Sequence, residues 1–143
     1  MDFQLIKDFR NQNSPYTRQL DIIIETIELG YARVTKTVTE TDLNSIGLPH
    51  GGVYISMADT ACASAAASHG FQAVTLSNSY NYFRSARVGD RLTAEARETK
   101  YGKTICVSEA TVRDQDNHLL GTGTFTFYLL NQNLEIVEPP ASV

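Results

Sequence analysis

The chain is poor in the residues that build metal centres and cross-linked folds. Its 143 residues include two cysteines and three histidines. Cys62 and Cys106 have neither the spacing of zinc ligands nor the density of a disulfide framework, so both are expected to be buried, reduced thiols. His50, His69 and His118 are scattered, with no cluster of carboxylates or thiolates around them, and no metal site is expected. No apolar run approaches the length of a membrane span. The segment Met1 to Arg10 intersperses charges with apolar residues and lacks a secretory hydrophobic core, so a cytoplasmic location without membrane attachment is the default expectation. Basic residues are in deficit, 12 against 16 acidic, and the net charge of -4 argues against a general nucleic-acid binder. Any anionic ligand must find a local basic patch. Walker loops, dinucleotide fingerprints, internal repeats and low-complexity linkers are all absent. What is present is a balanced composition, 42% apolar and 20% charged, at a length that fits one domain over residues 1–143 with a substantial core.

Periodicity divides the chain into a few elements. Phe3, Ile6, Phe9 and the aliphatic stem of Arg10 share a helical face, with Asp2 as a candidate N-cap, which predicts a short N-terminal helix over about 2–13 before Ser14-Pro15 interrupts it. Leu20 to Glu28 and Tyr31 to Thr39 read as a hairpin around Gly30, and Glu40 to Leu48 as a polar loop. A helix from about Gly51 to Ser68 follows, rich in small residues and ending at His69-Gly70. Further strands are predicted at about 72–83, 91–99, 104–113 and 119–130, and a weakly structured tail over 131–143 that includes Pro139-Pro140. One long apolar helix against mostly antiparallel strands is a two-layer α+β arrangement.

Chemistry concentrates at the start of that long helix. In Asn44-Ser45-Ile46-Gly47-Leu48-Pro49-His50-Gly51-Gly52 the last two glycines leave amide N–H groups unobstructed at a helix N-terminus, where the unpaired donors and the dipole favour a developing oxyanion. Asp59 lies in the same helix among alanines, and a poorly hydrated carboxylate needs a reason. Partial burial raises a carboxylate's pKa toward the range of a useful base. Eight residues separate Asp59 from Gly51, about 12 Å at 1.5 Å per residue. One helix cannot present both groups to one carbonyl. A second, identical chain with its helix antiparallel across a two-fold axis is the simplest way to bring Gly51 and Gly52 of one copy to Asp59 of the other.

The order of elements and the motif Asn44, Gly47, His50-Gly51-Gly52 and Asp59 resemble the hotdog fold, and specifically the phenylacetate-degradation-type (PaaI-like) acyl-CoA thioesterases. The resemblance covers about residues 15–130. It implies hydrolysis of a small or aromatic acyl-CoA at a dimer interface, with the Gly51 region polarising the thioester carbonyl and Asp59 of the facing subunit as nucleophile or general base. Asn44 would position water or the carbonyl, and His50 would order the helix entrance rather than act as a base. Thr75 matches the strand hydroxyl that helps to position the attacking water, and Ser77 on the same strand is assigned to the substrate pocket. Arg84 and Arg87 are the basic pair chosen for the coenzyme A phosphates. No cofactor is expected beyond the coenzyme A of the substrate, and the expected assembly is a homodimer or a dimer of dimers. The alternative reading is a catalytically silent acyl-CoA-binding sensor or assembly module. A hotdog dehydratase would need a His-Asp pair that the sequence does not offer.

Overall fold

The structure is a computed structural model that describes residues 2–136. Helix α1 (Phe3–Asn13) begins as expected, with the Asp2 carboxylate accepting from the Leu5 amide. The next element differs from the sequence reading. Ser14-Pro15 does not lead straight into a strand but starts a second short helix, α2 (Pro15–Gln19), because proline suits a first helical turn, where its missing N–H costs nothing. Strands β1 (Ile23–Glu28) and β2 (Tyr31–Thr37) form the expected hairpin, and a single 3-10 turn (Glu40–Asp42) opens the loop that leads to helix α3 (Gly51–Ala67). Four long strands follow: β3 (Phe71–Tyr82), β4 (Arg91–Tyr101), β5 (Ile105–Arg113) and β6 (Leu119–Asn133).

The six strands make one antiparallel sheet in the order β1-β2-β4-β5-β6-β3, so the long strand β3 lies at an edge. Strand β6 runs past the predicted end at Leu130 to Asn133, because it pairs with the start of β3 through Phe71. The remaining tail, Val137 onward with Pro139-Pro140, lies outside the described residues. This is the hotdog architecture: α3 packs along the inner face of the sheet and touches every strand. Eleven of its seventeen residues are buried, so the helix is apolar nearly all round rather than along one stripe. Ala58, Ala61 and Ala65 on the helix oppose Ala32, Ala94, Ala96 and Ala110 on the strands, and these small side chains allow close approach. Phe125, Phe127, Met57 and Leu92 fill the space to either side. Helix α1 closes the other flank by inserting Ile6 and leaning Phe3 on the same core.

One buried ion pair anchors the loop before α3. In the period-two pattern of β2, Ala32, Val34 and Lys36 all point inward, and the Lys36 ammonium meets Asp42 at 3.0 Å with both side chains 1% exposed. Lys36 also donates to the Leu20 carbonyl, while Asp42 accepts from the Thr39 amide and hydroxyl. The Asp42 carbonyl then receives the His50 amide at 2.8 Å, and Leu43 bridges Pro49. Two buried charges therefore fix both ends of the Thr39 to His50 loop. Removing one partner leaves the other uncompensated in the interior. Asp42→Ala is expected to cost about 3–5 kcal/mol in urea denaturation. Lys36→Met combined with Asp42→Ala should recover part of that loss, and a double variant no more stable than the additive sum would deny the coupling.

Candidate active site

The two halves of the expected chemistry occupy two different cavities of one chain. Asp59, half-buried on α3, faces a cavity of about 610 Å³ between α3, β3 and the α1–α2 segment. Gly51 and Asn44 line another, of about 290 Å³, with Tyr54, Tyr82, Phe83 and Arg84. Burial pushes the Asp59 carboxyl above the ordinary aspartate range, while a hydrogen bond from Thr75 and the positive charge of Arg10 pull it part of the way back. The Thr75 hydroxyl donates to Asp59 Oδ1 at 2.7 Å, which ties the carboxylate to β3.

The pairing of β3 with β6 determines which β3 residues join Asp59. Thr75 lies opposite Phe127, but Ser77 lies opposite Thr126, so Leu76 is an extra residue in a bulge. The bulge switches the alternation. Thr75 and Asn78 both point inward and line the Asp59 cavity, whereas Ser77, assigned from the sequence to the substrate pocket, pairs with an outward residue and lines neither cavity. Beyond the bulge the inward series continues as Tyr80 and Tyr82, with Gly121 and Gly123 opposite them. A Cβ on Gly123 would stand 2.8 Å from the Tyr80 ring, so glycine there makes room for the aromatic row.

At the helix N-terminus the two glycines differ. His50 caps α3: its Nδ1 accepts the Gly52 amide at 2.8 Å, which requires the proton on Nε2 and makes His50 an ordering group. Gly52, expected to share the oxyanion role, therefore spends its N–H inside its own chain. The Gly51 N–H makes no hydrogen bond among the described residues. Tyr82 donates its hydroxyl to the Gly51 carbonyl at 2.9 Å and stacks edge-on with Tyr54, whose hydroxyl accepts the Ala86 amide. These contacts hold the helix start against the end of β3 and the segment carrying Arg84. The Asn44 side-chain oxygen accepts the amides of Ile46 and Leu48, so it orders the loop, and its NH₂ group stays available toward the second cavity. Arg84 lines that cavity and Arg87 is an exposed neighbour whose backbone amide is held by Asp90.

Other candidates separate from this chemistry. Burial pushes the Cys106 thiol up to about 11 and raises that of Cys62 as well, so neither is a ready nucleophile. His69, just past the end of α3, is stacked on Tyr101 with ring centroids 3.6 Å apart and bonded to Glu98 at 2.7 Å. His118 bonds to Asp114 at a turn remote from both cavities. What the sequence reading missed is the α1–α2 wall of the Asp59 cavity, above all Arg10, together with Asn13 and Tyr16. An arginine on the apolar face of an amphipathic helix was the available signal.

Known proteins share this fold. The pattern of the thioesterase superfamily matches residues 47–120. A protein of Archaeoglobus fulgidus is 33% identical over 96% of this chain and 86% of its own. The acyl-coenzyme A thioesterase PaaI of Escherichia coli is 36% identical over 73% of this chain and 74% of its own. The PaaI crystal structure superposes with a TM-score of 0.83, covering 89% of this chain and 96% of that one at 30% identity. A hypothetical thioesterase of Streptococcus pneumoniae, solved with coenzyme A, gives a TM-score of 0.76 at 29% identity over 79% of this chain and 91% of its own. That protein has also been solved with an aspartate and, separately, a threonine sixteen positions further on replaced by alanine. Fold, helix-start motif and relatives agree: the chain belongs to the thioesterase superfamily, as a PaaI-like hotdog thioester hydrolase.

Proposed function

We propose that the protein hydrolyses acyl-coenzyme A at a site assembled from two copies of the chain. The observation that carries this reading is that Asp59 and Gly51 lie in separate cavities of one chain, each hydrogen-bonded to a different point on the same edge strand. Strand β3 has no charged residue among its twelve, and Leu76 is 59% exposed. A long, uncharged, unpaired edge is a template for another strand. The opposite edge, β1, is half as long and carries Glu25 and Glu28.

If β3 pairs antiparallel with its own copy about an axis between Asn78 and Ser79, Thr75 comes level with Tyr82 of the partner subunit. Thr75 brings Asp59, and Tyr82 brings Gly51. The strand thus acts as the ruler that joins the two half-sites and extends the sheet across the pair. In the joined site the Gly51 N–H stabilises the oxyanion, and Asp59 either takes a proton from the attacking water or attacks the carbonyl itself to form an anhydride that water opens. In both routes the carbon–sulfur bond breaks and coenzyme A leaves as its thiol after protonation. Thr75 orients the carboxylate, the Asn44 amide faces the carbonyl side, and Arg84 with Arg87 offers positive charge to the nucleotide phosphates. The Streptococcus pneumoniae relative supports the assignment, because its substituted aspartate and threonine have the separation of Asp59 and Thr75. Water is the only other reactant in this scheme.

Shared ownership of the site has a direct test. Asp59→Asn should lower kcat by about 10²- to 10⁴-fold. Gly51→Pro deletes the oxyanion donor at a first-turn position that tolerates proline, and should cost about 10²- to 10³-fold. Refolded together, the two inactive variants should regain about a quarter of wild-type activity, because half the dimers are mixed and each holds one intact site. No recovery, with mixed dimers demonstrated by mass spectrometry, would put both groups in one subunit. Saturable acyl-CoA binding without thiol release from any member of an acyl panel would favour a sensor instead.

The pH profile provides a second measurement. Ionised Asp59 is the active form, so kcat/KM should rise with pH through one acid limb centred above the ordinary aspartate range. Thr75→Val removes a hydrogen bond that favours the carboxylate and should move that limb to higher pH. A limb unmoved in Thr75→Val and still present in Asp59→Asn would assign it to another group.

A further inference from the structure

The Asp59 cavity holds a second charge that hydrolysis alone does not use. Arg10 reaches into it from α1, its Nε donating to the Oγ of the fully buried Ser64 at 3.2 Å. Among the described residues no carboxylate lies within ion-pair distance of Arg10. A guanidinium stays charged at any physiological pH, and withdrawing it from water is costly without a counter-ion. Burial does work against its charged form here. Asp59 is the negative group of the same cavity, yet the two do not pair directly. A direct ion pair would tie up the carboxylate that the reaction needs.

The space between them has the character of an acyl pocket with a polar far end. Phe9, Ile24 and Ile55 supply apolar wall, and the Asn78 amide, which has no hydrogen bond among the described residues, flanks it. From Asp59 to Ser64 the helix rises about 7.5 Å, so a carbonyl held at Asp59 leaves room for a short chain before the guanidinium. Asp59 repels a second carboxylate from the reacting end, while Arg10 can receive one through paired N–H groups at the other. Building on acyl-CoA hydrolysis as the activity, we infer that the pocket selects acyl groups that end in a carboxylate, the coenzyme A monothioesters of short dicarboxylic acids, with Arg10 binding the distal carboxylate.

Glutaryl-CoA and pentanoyl-CoA, equal in chain length and different only at the far end, separate this from simple size selection. The wild type is expected to favour glutaryl-CoA in kcat/KM. Arg10→Gln should lower the glutaryl-to-pentanoyl ratio by about 10- to 100-fold, the worth of a charge-assisted contact, and Arg10→Lys should keep part of the preference. Thermal denaturation of each variant reports whether α1 still docks, and since the ratio is taken within one preparation, a partly unfolded fraction cancels from it. Turnover of pentanoyl-CoA as good as that of glutaryl-CoA, or a ratio unchanged in Arg10→Gln, overturns the inference and leaves the thioesterase reading intact. Failure of the wild type on both substrates and on phenylacetyl-CoA would instead remove the thioesterase reading itself.

Discussion

The rigid rise of α3 is the constraint from which the proposed shared site follows. Gly51 and Asp59 stand about 12 Å apart along one helix, further than any single carbonyl can bridge. The sheet packs against the helix with alanines on both sides and keeps it buried along its length. Two hydrogen bonds then transfer the spacing to the edge strand, Thr75 to Asp59 and Tyr82 to Gly51. In the proposed pairing, a strand of fixed rise lying beside a helix of fixed rise sets how two chains would meet. The proposed site and the proposed assembly therefore rest on the same pair of contacts.

The loop before α3 solves a different problem. An oxyanion donor must be in position before charge develops, because reorganisation during the reaction would cancel its benefit. The loop carrying Asn44 buries little of its apolar surface: Ile46 is 77% exposed and Leu48 41%. Its order comes instead from the Lys36–Asp42 pair below it and from local caps, with Asn44 closing the Ile46 to Leu48 turn and His50 closing the first turn of α3. Spending the Gly52 amide on His50 costs one potential donor. In return the neighbouring Gly51 N–H is held on a capped, stationary helix end.

Much of the fold was legible in the sequence because periodicity reports which faces are buried. The apolar helix between Gly51 and Ser68 and the alternating strands after Gly70 needed nothing else, and the motif around His50 marked the helix start. The misreadings have specific physical causes. A β-bulge leaves no strong mark in hydropathy, so the sequence does not show that the extra residue at Leu76 puts Asn78, rather than Ser77, on the face of Thr75. The second helix was hidden because proline both ends a helix and begins one. Lys36 occupies an inward position of β2, but a lysine within an alternating strand reads as solvated until its partner, six residues later across a loop, is known. Arg10 was reduced to its aliphatic stem, since nothing local indicates that α1 packs beside Asp59. Each failure involves a long-range partner or a pairing register, and neither is encoded locally.

The division of labour along the chain follows from these positions. Gly51, Asp59 and Thr75 fall inside the span that matches the superfamily, residues 47–120, whereas Arg10, Asn13 and Tyr16 fall outside it. The groups proposed to act on the thioester are thus carried by α3 and β3, which every other strand helps to hold, while the outer wall of the Asp59 cavity is supplied by α1 and α2, which pack mainly on one flank. A wall with few obligations to the core can change its side chains at small cost in stability, but a charged one still needs compensation. Leaving Arg10 and Asp59 in one cavity without a direct bond keeps each cost partly uncompensated until something lies between them. A ligand that is electrophilic at one end and anionic at the other satisfies both groups at once, and a purely apolar acyl chain satisfies only Asp59.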